Sequence, residues 1–440
     1  MTTKRENTCS GPRPRGVSAF IAGLLACAAL TSWPSHAAGK SVTAETDDIP
    51  RNGSSARILT AKTAINDDRT LRRMLAKDPD VLNRADTATL VFTGDMMLHA
   101  AQIKAAHARY RSLGGKETAD SHRAYDFSLF LKEIRGTLES ADIAVANMEF
   151  TLGGAPFTGY PAFSAPDSYP EYAAECGIDI FLAANNHICD KGPEGMARTR
   201  DRYREMERER GIRFTGIIDV GKGETAAPLY VRAKGLRIAI LNFTYGTNAP
   251  EGRKIKTARL RREEMKPCLE AAVREADLVI ALPHWGTEYS LRHSVSQEAD
   301  AMWLAENGAD IIIGTHPHVV QDCDTLSVSR NGTDKKVPVI YSLGNLISNM
   351  SAVNTRIGLI LTLKVRRSPD GRAELLAPEF DFTWCALPGR LSDSHQTVPV
   401  KDFLGRKDEW EMPSDWQNMK GTYERVKRET GITDERQDRG

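Results

Sequence analysis

The sequence has almost no net charge. Its 440 residues include 59 lysines and arginines against 58 aspartates and glutamates, so the formal charge is +1. Proteins that attract nucleic acid through bulk electrostatics carry a clear basic excess. The charge balance excludes that mode of binding, and we predict that nucleic acid is not a partner.

Cysteine pairs, long hydrophobic runs and repeats are also lacking. The seven cysteines include no CxxC pair, which excludes a cysteine-based zinc module and argues against a disulfide framework. The apolar run at 17–31 is shorter than the ~20 residues that a helix needs to span a bilayer. No internal repeat or low-complexity tract is visible. The hydrophobic fraction of 41% is enough for a full globular core.

The N-terminal segment has the composition of an export signal. Basic residues precede the apolar run at 17–31, and the small residues Ala37 and Ala38 follow it. We therefore predict a signal peptide over residues 1–38 and an extracytoplasmic (periplasmic or cell-envelope) location. A retained membrane anchor is one alternative. The segment 24–27 resembles a lipoprotein cleavage box, which makes anchoring through Cys27 a second alternative.

The rest of the chain contains one patterned region. Residues 39–87 are polar and weakly patterned, and we predict a partly disordered linker there. Residues 88–385 alternate short apolar runs with amphipathic segments, which is typical of βαβ units and predicts an α/β domain. The predicted strands are 90–93, 143–146, 180–184, 231–233, 236–242, 278–282, 310–314, 337–343 and 359–365. The predicted helices are 127–138, 193–210, 263–276 and 297–307.

Residues 386–440 form a charged extension that is poor in strands. Trp416, Met419, Tyr423 and Val426 share one helical face, and Ser414 begins a capping pattern ahead of them. We predict a helix that packs on the domain or on a partner. A frayed tail is the alternative.

Polar side chains able to bind a metal directly follow five of the apolar runs. They are Asp95, the pair Asn147 and Glu149, the run Asn185, Asn186 and His187, then His284, and finally His316 with His318. The carboxyl ends of parallel strands meet at one edge of an open α/β sheet, so we expect these side chains to converge. Carboxylate, amide oxygen and imidazole together suit manganese, zinc or iron (Mn, Zn or Fe).

Each of these positions also has an ordinary explanation. A single histidine at a strand end is often a hydrogen-bonded part of the scaffold, Asp95 follows a glycine as turn residues do, and Asn186 fits a helix cap. His316 and His318 flank Pro317, which predicts an extended segment that aims two imidazoles at neighbouring positions. The repetition of the strand-then-ligand pattern favours a shared metal site.

Six spaced motifs resemble one known family. GDMML, NMEFTL, ANNHICDKG, HWGTEY, GTHPHVVQ and YSLGN, together with GYPAFSAP, closely resemble the CapA family of bacterial capsule (poly-γ-glutamate) synthesis proteins, also called PgsA. The likeness covers about residues 90–363. This family is similar to calcineurin-like metallophosphoesterases, so the resemblance implies a four-layer α/β/β/α sandwich with its metal site at one edge.

The resemblance implies a role for each matching residue. His187 matches the substrate-facing histidine that protonates a leaving group, and Glu149 stands where the superfamily has a bridging aspartate. The implied metal ligands are Asp95, Glu149, Asn186, His284, His316 and His318. Residues implied at the substrate or behind the ligands are His99, Asn147, Tyr160, Phe163, Asp190, Glu288 and Tyr289. Glu288 is expected to orient a ligand histidine. Trp285 and the other aromatic residues either line a substrate groove or belong to the core.

The sequence departs from the superfamily pattern at Met97. Superfamily phosphoesterases carry a histidine two residues after the first aspartate, and a thioether is a poor ligand for hard cations. The subsite around Asp95, Glu149 and His318 is therefore depleted, and the subsite around Glu149, Asn186, His284 and His316 is complete. We predict one tightly bound divalent metal rather than two. His99 is either a replacement ligand or a loop residue near the substrate.

The resemblance implies an exported metalloprotein of capsule or anionic surface-polymer metabolism. We expect metal-assisted hydrolysis or transfer at a phosphoester or a glutamyl amide, with His187 as general acid. The implied partners are an anionic polymer or phosphoester substrate and a membrane-bound polymer synthase or exporter. One alternative is a phosphoesterase without a capsule role. The other is a non-enzymatic subunit of a polymer synthase or exporter.

Overall fold

The computed structural model describes residues 87–368 and 373–434. The predicted signal peptide, the lipoprotein box and all but the last residue of the predicted linker lie outside the described residues. Within the described part of the chain, no helix combines the length and apolar character needed to cross a bilayer. The five cysteines found there are free thiols.

The elements follow one another in a largely alternating α/β order. The first half contains β1 (Thr87–Met96), α1 (Ala100–Ser112), α2 (Arg135–Glu139), β2 (Ile143–Met148), α3 (Ser168–Glu175), β3 (Ile180–Leu182), α4 (Gly192–Arg210), β4 (Arg213–Thr215), β5 (Ile217–Asp219), β6 (Leu229–Ala233) and β7 (Leu236–Thr244). The second half contains β8 (Ile255–Thr257), α5 (Arg262–Glu275), β9 (Leu278–His284), α6 (Val295–Glu306), β10 (Ile311–Ile313), β11 (Cys323–Arg330), β12 (Thr333–Ile340), β13 (Asn345–Ile347), β14 (Ile357–Arg367), β15 (Ala373–Leu375), β16 (Glu379–Ala386), β17 (Gln396–Pro399), α7 (Val400–Leu404) and α8 (Pro413–Thr430).

Two large sheets contain nearly all of the strands. The first has the order β17-β16-β14-β1-β2-β3-β4, with β13 beside β1 and β15 beside β14. The second has the order β11-β12-β10-β9-β7-β6. Strands β1 to β4 are parallel to one another, as are β7, β9, β10 and β12. Each sheet therefore presents a row of carboxyl strand ends along one edge.

Three apolar clusters show how the layers are stacked. Because side chains alternate along a strand, Phe92 of β1 enters the cluster between the two sheets, while Val91 enters the cluster under α1 to α4. On the outer face of the second sheet, Leu241 of β7 packs with Leu269 of α5 and Leu304 of α6. The layer order is helix, sheet, sheet, helix. This confirms the predicted α/β fold and its four-layer α/β/β/α sandwich.

One predicted helix is wrong. Of the predicted helix 127–138, only α2 is helical, and the residues before it form successive turns. Phe127 and Phe130 are buried, as the pattern predicted. Contacts between aromatic rings hold them in place, and the ring centroids of Phe127 and Tyr169 of α3 lie 4.8 Å apart. Aromatic packing against α3 therefore replaces the regular helix, because burial of these rings does not need helical periodicity.

The C-terminal extension is part of the same domain. Strand β17 pairs with β16, and α8 buries Met419 and Val426 in the cluster between the sheets. The predicted boundary at 385–386 is thus not a break in the fold. Ser414 is not the helix cap, because α8 begins at Pro413 with Met412 before it, and the fixed φ of proline suits the first helical position.

A buried ion pair secures α8 to the first sheet. Arg356 donates one hydrogen bond of 2.6 Å to each carboxylate oxygen of Asp415, whose side chain is 3% exposed. Replacing Asp415 with alanine is expected to lower the free energy of unfolding by about 3 kcal/mol, because it leaves a buried guanidinium without its counter-charge. Urea denaturation measures this loss. The exposed Asp408→Ala serves as control, and equal midpoints for both variants contradict the expectation.

Candidate metal centre

Strand pairing brings the predicted ligands to one edge. Asp95 near the end of β1 lies opposite Asn147 of β2, and Glu149 follows two residues later. In the second sheet, β9 ends at His284, which bridges to Thr315 just before His316. The convergence expected from the strand-then-ligand pattern is therefore present in the structure.

The ligand atoms form two groups that share one carboxylate. Within each group, the candidate ligand atoms lie within 4.8 Å of one another. One group is Asp95, Glu149 and His318, and the other is Glu149, His284 and His316. We call these five residues the Glu149 cluster. All five are at least 97% buried, and Glu149 takes the shared position that a bridging ligand requires. Asn186 is the sixth predicted ligand, and its Oδ1 lies 2.8 Å from Nε2 of His284.

The Glu149 cluster suits a divalent cation. Oε1 of Glu149 and Nδ1 of His316 are buried without a hydrogen-bond partner, a situation that costs about 1–3 kcal/mol for each group. In the described part of the chain, no lysine or arginine lies within 4.0 Å of Asp95 or Glu149, and their ion-pair partners are His284 and His318 alone. Two adjacent buried carboxylates, one of them with an unpartnered oxygen, favour a positive charge between them.

The pKa shifts follow from this burial. Burial and the neighbouring carboxylate of Asp95 raise the pKa of Glu149 well above its ordinary value. Burial, with the adjacent imidazoles, lowers the pKa of His284 well below its ordinary value and that of His316 to about 3. Burial is the largest single influence on His318 and lowers its pKa, but the hydrogen bond and negative charge of Asp95, the charge of Glu288 and the hydrogen bond to Asn345 together raise the pKa of His318 overall. At neutral pH, His284 and His316 are therefore in the neutral form that binds metal.

Uncharged polar side chains hold the ligands in place. Asn147 donates to Oδ1 of Asp95 at 2.7 Å, and Asn185 donates to Oδ1 of Asn147 at 3.2 Å. The Thr315 hydroxyl lies 3.0 Å from Nδ1 of His284, and Oδ1 of Asn345 lies 3.0 Å from Nδ1 of His318. Such partners fix the orientation and tautomer of ligand side chains. Asn147 was predicted near the ligands. Sequence reasoning named Asn185 as a strand-end residue or helix cap. It missed Thr315 and Asn345, although they stand inside the GTHPH and YSLGN motifs.

The segment with the two histidines is not extended. His316 and His318 have φ values of 100° and 58°, so the prediction of an alternating extended segment is wrong. The bend lets the backbone N–H of His316 donate to Oδ2 of Asp95 at 3.2 Å. A left-handed conformation at a non-glycine residue costs of order 1–3 kcal/mol and is typical of functional sites.

His187 stands beside the cluster with a carboxylate partner. Its Nδ1 lies 2.7 Å from Oδ2 of Asp190, and the backbone N–H of Phe163 donates to the same oxygen at 2.8 Å. The side chains of His187 and Asp190 are only 5% and 2% exposed. A carboxylate at Nδ1 keeps the proton on that nitrogen, so Nε2 is the atom available to exchange a proton with a substrate.

Comparison with known proteins identifies the family. Residues 89–350 match the family model described as "Bacterial capsule synthesis protein PGA_cap". The match covers more than half of the chain. The protein belongs to the PGA_cap family. This confirms the resemblance to CapA proteins that the ordered motifs indicated.

Two curated relatives carry related names. The "Capsule biosynthesis protein CapA" of Bacillus anthracis is 28% identical over 214 residues, which cover 46% of this chain and 48% of that protein. The "PGA biosynthesis protein CapA" of Bacillus subtilis (strain 168) is 28% identical over 207 residues, which cover 46% of this chain and 50% of that protein. The chain thus spans about half the length of the curated relatives it matches.

Similar solved structures include two nucleotidases. The Haemophilus influenzae NAD nucleotidase has a TM-score of 0.41 and 12% identity, covering 77% of this chain and 62% of that chain. The 5′-nucleotidase from Candida albicans SC5314 has a TM-score of 0.36 and 10% identity, covering 78% of this chain and 59% of that chain. Both TM-scores are below 0.5. The layer order is therefore inferred from the strand pairing and apolar clusters of this chain and not from these two structures.

In this PGA_cap protein, neither Met97, which stands at the position of the superfamily histidine, nor the nearby His99 acts as a replacement ligand. Met97 is 2% exposed and belongs to the apolar cluster under α1 to α4. His99 precedes α1, its N–H donates to Gln102 and its Nδ1 lies 3.2 Å from the backbone N of Asn349. In residues 87–368 and 373–434, no candidate ligand group includes His99. Burial lowers the pKa of His99 to about 4. Its ring packs edge-on against Phe163 with a centroid distance of 5.3 Å, and a place near the substrate stays a prediction.

Three exposed tyrosines lie against His316, His318 or Phe163 at the candidate centre. Tyr160 and Tyr289, both predicted near the substrate, are 72% and 46% exposed. Tyr245, which sequence reasoning missed, is 52% exposed, and its ring centroid lies 4.7 Å from that of His316. Phe163 is fully buried, yet its ring lies 4.7 Å from that of His187. Trp285 is 1% exposed and donates to the carbonyl of Tyr341, so it belongs to the core.

Proposed function

We propose that this protein is an exported, metal-dependent hydrolase or transferase of capsule or anionic surface-polymer biosynthesis. The bond it acts on is a phosphoester or a glutamyl amide of a poly-γ-glutamate type polymer. The observation that carries the proposal is the buried Glu149 cluster, with its unpartnered donor atoms, beside the pair of His187 and Asp190. Membership of the PGA_cap family and the names of the CapA relatives support the capsule role. Its partners would be the polymer and a membrane-bound synthase or exporter.

The residues present define how a cation would be held. Glu149, Asn186, His284 and His316 offer one tight subsite for manganese, zinc or iron, and Asp95, Glu149 and His318 offer a weaker one. A cation bound there supplies Lewis acidity toward water and toward an acyl or phosphoryl oxygen. The buried walls of the cluster exclude bulk water, which strengthens every electrostatic interaction with the reacting group.

His187 is suited to proton transfer. Asp190 accepts from Nδ1, so the orientation of the ring is fixed. Nε2 can then deliver a proton to the leaving oxygen or nitrogen. The edge of the Phe163 ring packs against the imidazole and limits its rotation.

A groove lined by four basic and two acidic side chains offers a path for an anionic chain. The groove has a volume of about 570 Å³, and Arg253 and Lys254 in its lining are exposed. Neither cation has an acidic partner within 4.0 Å among the described residues. The loop that carries them starts at the metal centre, where the N–H of Asn248 donates to the carbonyl of Asn186 at 2.8 Å. A polyanion with one end at the centre can therefore extend along this loop.

Turnover of two substrates by the purified, metal-loaded protein tests the proposal. We expect metal-dependent turnover of both poly-γ-glutamate and p-nitrophenyl phosphate. The double variant Arg253→Glu/Lys254→Glu is expected to raise KM for the polymer about tenfold, because it reverses two charges along the groove, and to leave the small ester unaffected. Lys335→Glu/Lys336→Glu, on β12, is the matched control.

Turnover of the small ester alone favours a phosphoesterase without a capsule role. Full metal binding without turnover of either substrate favours a non-enzymatic subunit.

A further inference from the structure

The weaker subsite lacks a donor on its solvent side. Asp95, Glu149 and His318 offer three side chains, and Met97, at the position of the superfamily histidine, is packed in an apolar cluster. Cations such as Mn²⁺ and Mg²⁺ prefer oxygen donors and bind weakly when few protein ligands are present.

The loop after β9 places Glu288 over the two histidines. The loop turns at Gly286 and Tyr289, which have φ values of 97° and 67°. The N–H of Tyr289 donates to the carbonyl of Pro317 at 2.8 Å, which ties the loop to the segment between His316 and His318. As a result, a carboxylate oxygen of Glu288 and one ring nitrogen from each of these histidines lie within 4.8 Å of one another.

The surroundings of Glu288 point to a ligand rather than a surface salt bridge. Glu288 is exposed, and in the described part of the chain no lysine or arginine lies within 4.0 Å of its carboxylate. It forms no described hydrogen bond to a histidine, so it does not act as the predicted orienting partner. His316, which it approaches, is 3% exposed and has an unpartnered Nδ1. A carboxylate without a basic partner, above a buried and unpartnered imidazole, is an arrangement that a cation satisfies.

We propose that Glu288 is a metal ligand that takes the place of the missing superfamily histidine. Its carboxylate approaches His318 of the weaker subsite and His316 of the tight subsite from the solvent side, within 4.8 Å of a ring nitrogen of each. An oxygen donor added beside His318 favours hard cations such as Mn²⁺ and Mg²⁺ at the weaker subsite, whereas the subsite with His284 and His316 also accepts Zn²⁺. This inference rests on the proposed function, because it assumes that the Glu149 cluster holds a metal.

Metal binding by the full chain, freed of metal with a chelator, tests the assignment. Titration with Mn²⁺ by calorimetry, with elemental analysis after dialysis, is expected to show one tight and one weaker equivalent. Glu288→Gln is expected to raise Kd of the weaker equivalent at least tenfold and to leave the tight one unchanged. In the same variant, the electron paramagnetic resonance signal of two magnetically coupled Mn²⁺ ions should disappear. Glu288→His should restore the second equivalent for Zn²⁺, and the exposed Glu263→Gln should behave like the wild type.

The outcomes separate this inference from the function on which it rests. Unchanged affinities in Glu288→Gln, or a wild type that binds a single equivalent even at millimolar Mn²⁺, overturn the role of Glu288 and leave the proposed function standing. A wild type that binds no divalent metal overturns the proposed function itself. Because Glu288 is exposed, its substitution leaves the core intact, and thermal unfolding of the metal-free variants verifies this.

Discussion

Replacing Glu149 with glutamine is expected to abolish tight metal binding and to lower turnover about a thousandfold. Glu149 belongs to both ligand groups, so its loss removes a donor from each subsite at once. A thousandfold loss corresponds to ~4 kcal/mol of transition-state stabilisation, in the range expected for loss of metal assistance. Elemental analysis of the purified variant and kcat with p-nitrophenyl phosphate measure the two effects.

The same substitution has a second consequence that separates loss of metal from loss of fold. Without a cation, the carboxylate of Glu149 is buried next to that of Asp95, and this burial raises its pKa. Glutamine has the same shape and no charge to desolvate, so the metal-free variant should unfold at the same temperature as metal-free wild type or higher. Added Mn²⁺ should stabilise only the wild type. A variant that still binds metal with wild-type affinity rules out Glu149 as the shared ligand.

Replacing His187 with alanine is expected to lower kcat by about 100- to 10,000-fold for a substrate with a poor leaving group. An alkyl phosphoester or a γ-glutamyl amide needs protonation of its leaving atom, and His187 is the residue placed to supply that proton. p-Nitrophenolate leaves without protonation, so the loss with p-nitrophenyl phosphate should be roughly tenfold or less. Metal content should stay at the wild-type level, because His187 belongs to neither ligand group of the Glu149 cluster.

A partner variant tests how His187 is held. Asp190→Asn keeps a polar group near Nδ1 but weakens the contact that fixes the tautomer and orientation of the ring, so a smaller loss of about tenfold is expected with the same leaving-group dependence. Equal losses with both kinds of substrate for His187→Ala would contradict general-acid catalysis and assign His187 to substrate binding instead.

The candidate site was predictable because each ligand ends a local pattern. Asp95, His284 and the histidine pair each follow a run of apolar residues, and parallel strands necessarily bring such ends to one edge. Asn147 and Asp190 were predictable from the family motifs, and both lie where they can support a neighbouring residue. Met97 was also recognisable as a departure, since it is a single position inside a motif.

Other features of the site depend on contacts between segments that are far apart in the chain. Tyr245 follows β7 and gives no local signal, yet its ring lies against His316, about 70 residues away. Trp285 stands directly after His284, but it points into the core while its neighbour faces the metal centre. The left-handed backbone at His316 and His318 is favoured by hydrogen bonds from distant elements, and local sequence alone predicted an extended segment.

The amino-acid sequence by itself determined the α/β class, the family and the set of residues that can bind metal, because hydrophobic periodicity and short motifs are properties of neighbouring residues. The tertiary structure alone decided which donors share a cation, that Glu288 reaches the two histidines, and that the C-terminal extension completes the first sheet. These outcomes depend on distances across strands and between loops, which packing of the two sheets sets and which no local pattern encodes.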